Sequence, residues 1–350
     1  MMPLQPTSAS SPRILIVRLS AIGDVVQGMP IACALRERFP NAMLAWAVGE
    51  HAATLLQAHE ALDELITLPR GWLKSPQIVW KLRRQLRAMR FDVAVEAQGL
   101  AKAAIVARLS GAKRRLGFGD PWGREFSRWI NNELVDTTAT HVVDRNLQLL
   151  RPLGIESPTV RFQVPEHQPA RAAADVIIRE AGLEEGFVIV NSGAGWPSKL
   201  WPNDRYAAVA VHLGRAHGLP TLVAWGGPHE RVAAEQIVAG SAGHARLAPP
   251  TSLTELAALC RRARLFIGSD TGPLHLAAAV GTPCVGLFGP WPAEKHGPYG
   301  SQHVALQAMS FEGPTRKRRH ASPKLMEAIT LEMVYGACEQ ILRRKAQEAA

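Results

Sequence analysis

The turn Ser269-Asp270-Thr271-Gly272-Pro273-Leu274-His275 carries the most informative chemistry of the chain. It follows an apolar run ending at Gly268 and precedes a helix of small residues predicted over Leu276–Val280. A strand that passes into a helix through Asp-Thr-Gly exposes backbone N–H groups at the positive end of the helix, which suits phosphate binding. Thr271 and His275 are four residues apart and share one face of the helix start. The alternative is an ordinary capped helix with a hydrogen-bonded histidine.

A second turn of this kind, Arg18-Leu19-Ser20-Ala21-Ile22-Gly23-Asp24, follows the first apolar run of the chain, Ile14–Val17. Open α/β sheets place ligand chemistry just beyond the carboxyl ends of their strands, which is where Gly23 and Asp24 fall. A carboxylate at this point can act as a general base on a hydroxyl group. The alternative is an aspartate that only caps a helix. Two such turns, one in each half, indicate two nucleotide-binding folds that face each other across a cleft.

Two further loops in the second half carry groups suited to a nucleotide. Asn191-Ser192-Gly193-Ala194-Gly195 follows a predicted strand, and Lys199 comes shortly after it. Small residues let the backbone approach a ligand, and the lysine ammonium can meet a diphosphate. Glu230, after the next strand, can accept hydrogen bonds from ribose hydroxyls. The alternatives are a plain strand-to-helix turn and, for Glu230, a first-turn acid that stabilises its helix.

The sequence lacks the signatures of metal- and dinucleotide-dependent enzymes. No Asp-x-Asp occurs, and no group of His, Cys and Glu has the spacing of a catalytic zinc site. The loop before Lys199 is not a P-loop, and Ser198 stands where the dinucleotide fingerprint needs Gly or Ala. We therefore expect no metal and no cofactor. If a diphosphate leaves at this site, Lys199 and the amides near Thr271 must stabilise its charge.

Composition narrows the class of protein. The 350 residues are 47% hydrophobic and 20% charged, which is typical of a globular protein large enough for two domains. No apolar run reaches the roughly 18 residues needed to cross a bilayer. Residues 1–12 are polar and rich in Pro and Ser, so we predict a loose tail rather than a secretion signal. The four cysteines are far apart, which favours buried, reduced thiols in a cytoplasmic protein.

The net charge of +10 favours acidic partners, such as nucleotide phosphates, lipid phosphates or nucleic acid. Much of the excess lies between Arg70 and Arg90, a stretch without an acidic residue. Apolar residues at helical spacing from Val79 to Met89 give it one apolar face, as in helices that lie on anionic membranes. The alternative is a solvated helix packed on a sheet. A second basic run, Arg316–His320, has two interpretations, contact with acidic lipid or a solvated loop. Because no nucleic-acid-binding motif is present, we expect no nucleic-acid partner.

Strand-like and helix-like segments alternate through both halves, which predicts an α/β fold with two Rossmann-like domains. Prolines interrupt the pattern between Gly154 and Pro169, and we place the domain boundary there. The predicted domains cover residues 13–160 and 170–330. A final helix is predicted at 331–346, and its packing on the N-terminal domain stays open.

Five segments occur in the order that characterises one known family: Arg18–Asp24, Glu96–Leu100, Trp225–Glu230, Ser269–His275 and Gly286–Pro290. From about Ile14 to about Ile341 the chain resembles the heptosyltransferases of lipopolysaccharide core synthesis, glycosyltransferase family 9. The Ala-Gln-Gly-Leu segment and the second strand with Trp46 look most like the enzyme that adds the first heptose. The resemblance implies the GT-B architecture of two Rossmann-like domains. It also implies inverting, metal-independent transfer of a heptose from ADP-heptose to the Kdo/lipid A inner core.

The resemblance further implies roles for individual residues. Asp24 would be the catalytic base, Lys199 would contact the donor phosphates and Glu230 the ribose. The implied donor-binding residues are Ser192, Gly193, Lys199, Glu230, Asp270, Thr271, Gly272 and His275. The implied acceptor-binding residues are Gly23, Gln98, Arg70, Arg124, His141 and Arg145.

Two other functions stay open at this point. The first, within the same class, is a related transferase that adds a later heptose or another sugar from a nucleotide sugar. In a different class, a nicotinamide-dependent oxidoreductase also has Rossmann-like domains, although the broken glycine fingerprint argues against it. The resemblance implies a cytoplasmic protein. Because the implied acceptor is a lipid, peripheral attachment to the cytoplasmic face of the inner membrane stays open.

Overall fold

The computed structural model describes residues 11–349, so most of the predicted tail lies outside the described residues. Two parallel sheets of six strands each organise this part of the chain. Each sheet belongs to one of two compact units, which meet in the sequence between Pro165 and Glu166. The predicted α/β class with two Rossmann-like folds is confirmed.

The sheet of the first unit has the strand order β3-β2-β1-β4-β5-β6, and all neighbours pair in parallel. Its strands are β1 (Arg13–Val17), β2 (Met43–Gly49), β3 (Glu64–Leu68), β4 (Val93–Glu96), β5 (Arg114–Phe118) and β6 (Glu133–Val135).

The sheet of the second unit has the order β12-β11-β10-β7-β8-β9, again with parallel neighbours. Its strands are β7 (Val188–Asn191), β8 (Thr221–Ala224), β9 (Ala245–Leu247), β10 (Leu265–Ser269), β11 (Cys284–Leu287) and β12 (Val304–Leu306).

Counted within its own unit, each sheet has the strand order 3-2-1-4-5-6 of the doubly wound nucleotide-binding fold. The order reverses between β1 and β4 in the first unit and between β7 and β10 in the second. Chain segments leave the carboxyl ends of these two strands in opposite directions, which opens a crevice where such folds bind ligands.

Parallel strands need crossover connections, and helices supply most of them. The first unit contains α1 (Ile22–Val26), α2 (Met29–Arg38), α3 (Glu50–Ala53), α4 (Pro76–Ala88), α5 (Ala101–Ser110), α6 (Ser127–Ile130) and α7 (Val142–Gln148). The second contains α8 (Gln168–Glu180), α9 (Asn203–His217), α10 (Pro228–Gly240), α11 (Leu253–Arg262), α12 (Gly272–Ala279), α13 (Ala293–His296), α14 (Lys324–Glu327) and α15 (Leu331–Ala349). Short 3-10 helices cover Trp72–Lys74, Arg151–Leu153, Pro197–Lys199 and Thr315–His320.

The central strands are buried on both faces because helices cover the sheets. All side chains from Ile14 to Val17 of β1 are 0% exposed. A strand in this position reads as a continuous apolar run rather than as an alternating pattern. This is why the sequence reveals the central strands most clearly.

Helix α4 carries most of the basic residues between 70 and 90. Ser75 caps its start by accepting a hydrogen bond from the N–H of Ile78. Leu82 and Leu86 are buried in the core of the first unit, whereas Trp80 is 58% exposed. The helix therefore packs on its sheet through a narrow apolar face, as one of the two sequence interpretations predicts. Within residues 11–349, no helix combines the length and the apolarity needed to span a bilayer.

The last helix, α15, packs within the second unit. Val334, Cys338 and Ile341 of this helix are buried in one core cluster with Leu213 of α9 and Ile267 of β10. The sequence analysis left packing on the N-terminal domain open for this segment. Its apolar face instead completes the core of the second unit.

Several short elements are missing from the sequence prediction. Strands β5, β6, β9 and β12 contain three to five residues, lie toward the sheet edges and include charged or exposed positions, so their apolar signal is weak. Helix α8 begins with Pro169 in its first turn, where proline is tolerated, although the prolines there favour a linker. Within residues 122–130 only Ser127–Ile130 forms a helix, α6, because the N–H of Arg124 donates to the carbonyl of Gly99.

Candidate active site

The turn after β1, residues 18–24 and hereafter the Asp24 turn, presents a carboxylate at the reversal point of the first sheet. Oδ2 of Asp24 accepts a hydrogen bond from the N–H of Ala21 at 2.9 Å. Oδ1 lies 2.8 Å from Nη2 of Arg18, and the Asp24 side chain remains 45% exposed. Ala21 is the N-cap of α1, and Asp24, the third residue of the helix, caps it from within by accepting this N–H. The predicted Gly23, in the first turn of α1, is buried. An exposed, oriented carboxylate can take a proton from a hydroxyl that reaches it.

The loop after β4 holds the Asp24 turn in place. Oε1 of Gln98 accepts from the N–H of Leu19 at 3.0 Å, and Nε2 donates to the carbonyl of Ser20 at 3.0 Å. The Gln98 amide, which the resemblance assigns to the acceptor, is thus already engaged with the turn. These contacts describe a group that positions the turn.

Glu96, at the end of β4, holds this loop through hydrogen bonds to its backbone. Its Oε1 accepts the N–H groups of Gln98 and Gly99 at 2.8 and 2.7 Å, and its Oε2 accepts from Nδ2 of Asn131 at 3.1 Å. The side chain is fully buried. Burial raises the pKa of Glu96 to about 7, even though these hydrogen bonds and the charge of Arg18 favour the ionised form. A buried acid that titrates near neutrality therefore lies beneath the Asp24 turn.

Two buried arginines lie behind the Asp24 turn. Arg18 is 5% exposed and donates to the carbonyl of Ala97 and, at 3.2 Å, to Oδ1 of Asn146. Arg145 is 4% exposed, and its guanidinium carbon lies 3.5 Å from the ring centroid of Trp122. Cation–π stacking of this kind is strongest when the cation is desolvated.

The two guanidinium groups are close enough to influence each other. Burial, and then the positive charge of Arg18, lowers the pKa of Arg145 to about 10. Nε of each arginine has no hydrogen-bond partner among the described residues, although both atoms are buried. Clustered cations with unused donors create a positive potential that favours an acidic ligand.

The other predicted acceptor residues approach the same end of the sheet. Nδ1 of His141 accepts from the N–H of Val143 at 3.2 Å and caps α7, one turn before Arg145. Arg124 is exposed, and its N–H donates to the carbonyl of Gly99 at 3.0 Å. Gly99 has a φ of +67°, and a Cβ atom there would collide with the carbonyl oxygen of Trp122, so only glycine fits this close approach.

A cavity of about 570 Å³ opens beside the Asp24 turn. The segments that follow β1, β2 and β3 line it, together with Lys102, whose Nζ donates to Oγ of Ser20 at 2.9 Å. The predicted Arg70 also lines the cavity, and its N–H donates to Oε1 of Glu50 at 3.2 Å. The volume falls within the range of small-molecule sites. The first unit thus places a mainly apolar cavity, with Glu50, Arg70 and Lys102 on its wall, beside the turn that carries the general-base candidate.

In the second unit, Lys199 and Asp270 form a buried ion pair at the reversal point of the sheet. Nζ of Lys199 lies 2.6 Å from Oδ2 of Asp270 and 2.8 Å from its carbonyl oxygen. Nε2 of His275 lies 3.2 Å from Oδ1 of the same carboxylate. Burial alone would raise the pKa of Asp270, but the hydrogen bond from His275 and the charge of Lys199 outweigh it and hold the pKa well below its usual range. The histidine is therefore hydrogen-bonded, as the alternative interpretation of this turn predicts.

Thr271 is the N-cap of α12, and Gly272 begins the helix. Oγ1 of Thr271 donates to the carbonyl of Ser269 at 3.2 Å, and no described side chain caps this helix. The first-turn N–H groups of a helix have no acceptor within it and are available to an anion. The arrangement predicted from Asp-Thr-Gly is therefore present in this turn.

The carboxylate of Glu230 lies between the loop after β7 and the loop after β8. Oε2 of Glu230 accepts from the N–H of Gly226 at 2.8 Å. Gly193 lies against the same carboxylate, because a Cβ atom there would come within 2.6 Å of Oε1. Oγ of Ser192 and Oγ of Ser198 are buried and have no hydrogen-bond partner among the described residues. Unpaired buried hydroxyls of this kind are costly unless a ligand or water pairs with them.

The comparison with protein families decides the class of this molecule. Residues 79–326 match the model of glycosyltransferase family 9 (heptosyltransferase), more than half of the chain. The chain belongs to glycosyltransferase family 9. The predicted family and the predicted glycosyltransferase activity class are thereby confirmed, and the oxidoreductase and nucleic-acid alternatives are set aside.

Curated relatives of this family 9 enzyme are similar along most of its length. Lipopolysaccharide heptosyltransferase 1 of Salmonella typhimurium is 27% identical over 303 residues, which cover 84% of this chain and 93% of that protein. Lipopolysaccharide heptosyltransferase 3 of Escherichia coli K12 is 26% identical over 342 residues, which cover 93% of this chain and 97% of that protein.

Solved structures share the fold. A family 9 glycosyl transferase from Veillonella parvula superposes with a TM-score of 0.85 at 24% identity, covering 97% of this chain and all of that one. The E. coli heptosyltransferase WaaC with ADP gives a TM-score of 0.73 at 23% identity, covering 94% of this chain and 99% of that one. These likenesses agree with the predicted GT-B fold class.

Several residues of the family 9 enzyme escaped the sequence reasoning. Arg18 and Glu96 are buried near the Asp24 turn, Trp122 stacks on Arg145, and Lys102 lines the cavity. In the second unit, the ring of Trp291 lies 4.2 Å from Nζ of Lys199. Arg18 and Glu96 belong to the segments Arg18–Asp24 and Glu96–Leu100, which carry the family resemblance, so the sequence contains a signal for both residues. Trp122 and Trp291 carry no local signal, because distant parts of the chain bring them to the site.

The basic run near residue 318 also approaches the second-unit site. The guanidinium carbon of Arg319 lies 4.1 Å from the ring centroid of Trp196, in the loop that leads to Lys199. This cation–π contact ties part of the basic run to the loop before Lys199.

Proposed function

We propose that this family 9 enzyme transfers a heptose from ADP-heptose to the Kdo/lipid A inner core of lipopolysaccharide, with inversion at the anomeric carbon and without a metal. The curated relatives named lipopolysaccharide heptosyltransferase 1 support the heptose and the acceptor class. The similar WaaC structures, described as complexes with ADP and with ADP-2-deoxy-2-fluoro heptose, support the nucleotide.

The observation that carries the acceptor assignment is the pair of buried guanidinium groups beside a general-base candidate. Arg18 holds Asp24 at 2.8 Å, and Arg145 stacks on Trp122 with its Nε unused. Kdo is a sugar acid, and a carboxylate pairs well with an arginine fork. An acidic sugar bound there would bring a hydroxyl group within reach of Asp24.

In the proposed reaction, Asp24 removes the proton from the acceptor hydroxyl as this oxygen attacks the anomeric carbon of the donor. The bond to the diphosphate breaks on the opposite face, and ADP departs with the electron pair. A general base typically contributes about 10²–10⁴-fold to such a step. Direct displacement forms no covalent enzyme intermediate, which fits one carboxylate with basic neighbours rather than a nucleophile with a second acid.

The second unit supplies the donor site in this proposal. Two of the three N–H donors of Lys199 are directed to Asp270 in the described structure, which leaves the third for a phosphate oxygen. The first-turn amides of α12 offer further donors to the diphosphate. Glu230 is positioned to accept hydrogen bonds from ribose hydroxyls, with Ser192 and Ser198 nearby as unused hydroxyls. We infer that this set replaces a divalent ion in stabilising the leaving diphosphate.

Transfer to a later position of the core remains the competing proposal. Relatives named lipopolysaccharide heptosyltransferase 3 are similar to this chain at 26% identity over even more of its length. The cationic site around Arg145 favours an acceptor whose attacking sugar is itself acidic or lies next to an acid. We therefore place the first-heptose reaction ahead of later additions.

The deciding experiment offers the purified enzyme ADP-heptose with two acceptors, Kdo-lipid A without heptose and the same core already bearing one heptose. Mass spectrometry of the products should show one added heptose on the first acceptor and none on the second. Addition only to the second acceptor would support the later-heptose proposal. Addition only from another nucleotide sugar would overturn the donor assignment.

We further propose that the enzyme meets its lipid acceptor at an anionic membrane surface through α4. Trp80 is 58% exposed on this helix, and Leu73 just before it is 43% exposed, amid the basic residues. Aromatic and basic side chains together favour the interface of an anionic bilayer. Vesicles with anionic lipid should co-sediment the wild-type protein, and the variant Trp80→Ser should bind them less. Equal binding of both proteins would remove α4 from the membrane contact.

A further inference from the structure

Among residues 11–349, one group of three metal-ligating side chains converges, and it has no part in the proposed transfer. Its members are His212 and His217 of α9 and Glu339 of α15, hereafter the His-His-Glu cluster. Their ligand atoms all lie within 4.8 Å of one another. We propose that this cluster binds a divalent transition-metal ion, with zinc as the expected occupant.

In the structure, both histidine nitrogens point at one oxygen of Glu339, where a bound metal ion would otherwise receive them. Nε2 of His217 lies 2.6 Å and Nε2 of His212 lies 3.3 Å from the same Oε1 of Glu339. In a tetrahedral zinc site with bonds of about 2.0–2.1 Å, ligand atoms are about 3.3 Å apart. For an ion to bind, Glu339 must rotate so that the shorter distance opens by about 0.7 Å, and the three ligand atoms, which lie within 4.8 Å of one another, must settle at separations of about 3.3 Å.

The contacts around the cluster orient its ligands. The ring of His212 stacks on Tyr335, with centroids 4.1 Å apart and an interplanar angle of 16°. The Tyr335 hydroxyl donates to the carbonyl of Ala208 in α9, so the stacking partner is itself tied to the helix that carries both histidines. Neighbouring groups that fix ring orientation are a regular feature of metal sites.

The cluster is accessible to solvent. The side chains of His212, His217 and Glu339 are 28%, 25% and 27% exposed. An open cavity adjoins His212 and Tyr335, which leaves space for water molecules as the remaining ligands. Two imidazoles and one carboxylate with an open position match the donor set of several zinc and iron sites. Arg343 is the nearby opposing charge, but its Nε is 3.9 Å from Oε2 and its side chain is 78% exposed.

The cluster is separate from the donor site. Helix α9 begins at Asn203, shortly after Lys199, and its 15 residues extend about 22 Å. Both histidines lie in its second half, toward the sheet edge opposite the carboxyl ends of the strands. A metal ion there would join α9 to the carboxyl-terminal helix α15 and stabilise the second unit, since binding to the folded state alone raises its stability.

The test uses the untagged full-length protein after chelator treatment, because an added histidine tag would bind the same ions. We expect calorimetry to show one Zn²⁺ bound per chain, and Zn²⁺ to raise the Tm. His217→Gln and Glu339→Gln should each weaken Zn²⁺ binding by at least about tenfold, since even second-shell changes cost 10–100-fold. The control His320→Gln changes an exposed histidine on another segment and should bind like wild type.

Cobalt gives a second readout that does not depend on stability. Co²⁺ bound by this cluster should give visible absorption bands that His217→Gln abolishes. All four cysteines are buried, so the bands should lack thiolate character. Absence of Zn²⁺ and Co²⁺ binding in the wild type, or equal binding by the wild type and both cluster variants, would overturn the proposal. Neither readout involves donor or acceptor, so the outcome is independent of the proposed transferase reaction.

Discussion

The carboxylate of Glu230 fills the space that a side chain at residue 193 would need, because a Cβ atom on Gly193 would come within 2.6 Å of Oε1 of Glu230. The glycine therefore admits the carboxylate to the loop after β7, while Glu230 stays hydrogen-bonded to Gly226. A carboxylate held this way joins two loops at the carboxyl edge of the second sheet. That edge is where the ribose of a nucleotide lies in doubly wound folds.

We predict that Gly193→Ala weakens ADP binding about tenfold or more, because the displaced Glu230 loses hydrogen bonds of a charged group to ribose. Gly195→Ala is the matched control in the same loop, since nothing lies within 4 Å of a Cβ atom there. Calorimetric titration with ADP compares the two variants. Similar affinities for both would show that Glu230 does not bind the ribose.

We predict that Asp24→Asn lowers kcat by about 10²–10⁴-fold, because the amide keeps the shape of the side chain but cannot accept the proton. The second unit is untouched, so the Kd for ADP should stay at the wild-type value. Steady-state kinetics and ADP titration measure the two quantities. A variant with wild-type kcat would remove Asp24 from the chemical step.

We predict that Lys199→Met destabilises the protein by about 3 kcal/mol, because Asp270 loses the cation that compensates its burial. The double variant Lys199→Met/Asp270→Asn should recover part of this loss, since it leaves no unpaired charge. Urea denaturation of the wild type, the two single variants and the double variant completes the cycle. Additive losses would show that the two side chains are not coupled.

The same lysine variant tests the donor site. Lys199→Met should raise the Kd for ADP, and Asp270→Asn should affect it less, since the lysine retains its charge there. If Lys199 contacts the diphosphate, the Kd for ADP should rise more in Lys199→Met than in Asp270→Asn. An unchanged Kd in Lys199→Met would limit the lysine to a structural role.

Glu96 should make stability depend on pH. Its pKa is raised from 4.5 to about 7, so the folded state binds the proton more tightly than the unfolded state. The stabilising effect of this proton is complete below about pH 4.5 and is lost as the pH rises to about 7, at a cost of up to about 3 kcal/mol. Glu96→Gln removes this titration, and its amide can pair with Oδ1 of Asn131, which is unpaired among the described residues.

Urea denaturation at pH 5 and pH 8 checks this prediction. Relative to wild type, Glu96→Gln should be more stable at pH 8 than at pH 5. Parallel pH profiles for the two proteins would show that Glu96 stays ionised throughout the range. Glu235→Gln, at an exposed ion pair with Arg231 on α10, serves as the control for a general loss of charge.

The sequence alone determined the α/β class, the central strands and the two strand-to-helix turns at Asp24 and Thr271. These features are local: apolar runs of four or five residues mark strands that are buried on both faces, and Gly, Asp and Thr mark the turns that leave them. The family resemblance had the same basis, since its five segments are short and contiguous. The outer strands β5, β6, β9 and β12 were missed because their charged and exposed residues weaken that local signal.

Only the tertiary structure decided which distant residues join these turns. Glu96 reaches the Asp24 turn because parallel pairing places the ends of β1 and β4 side by side. Arg145 comes from α7, where the neighbouring Asn146 accepts a hydrogen bond from Arg18, and Trp122 covers Arg145 from a segment with no strand or helix pattern. His212, His217 and Glu339 come together because α15 packs on α9 after more than a hundred residues of intervening chain. Side chains are brought into contact by the burial of apolar faces, which fixes helix and strand positions through the whole core rather than through neighbouring residues.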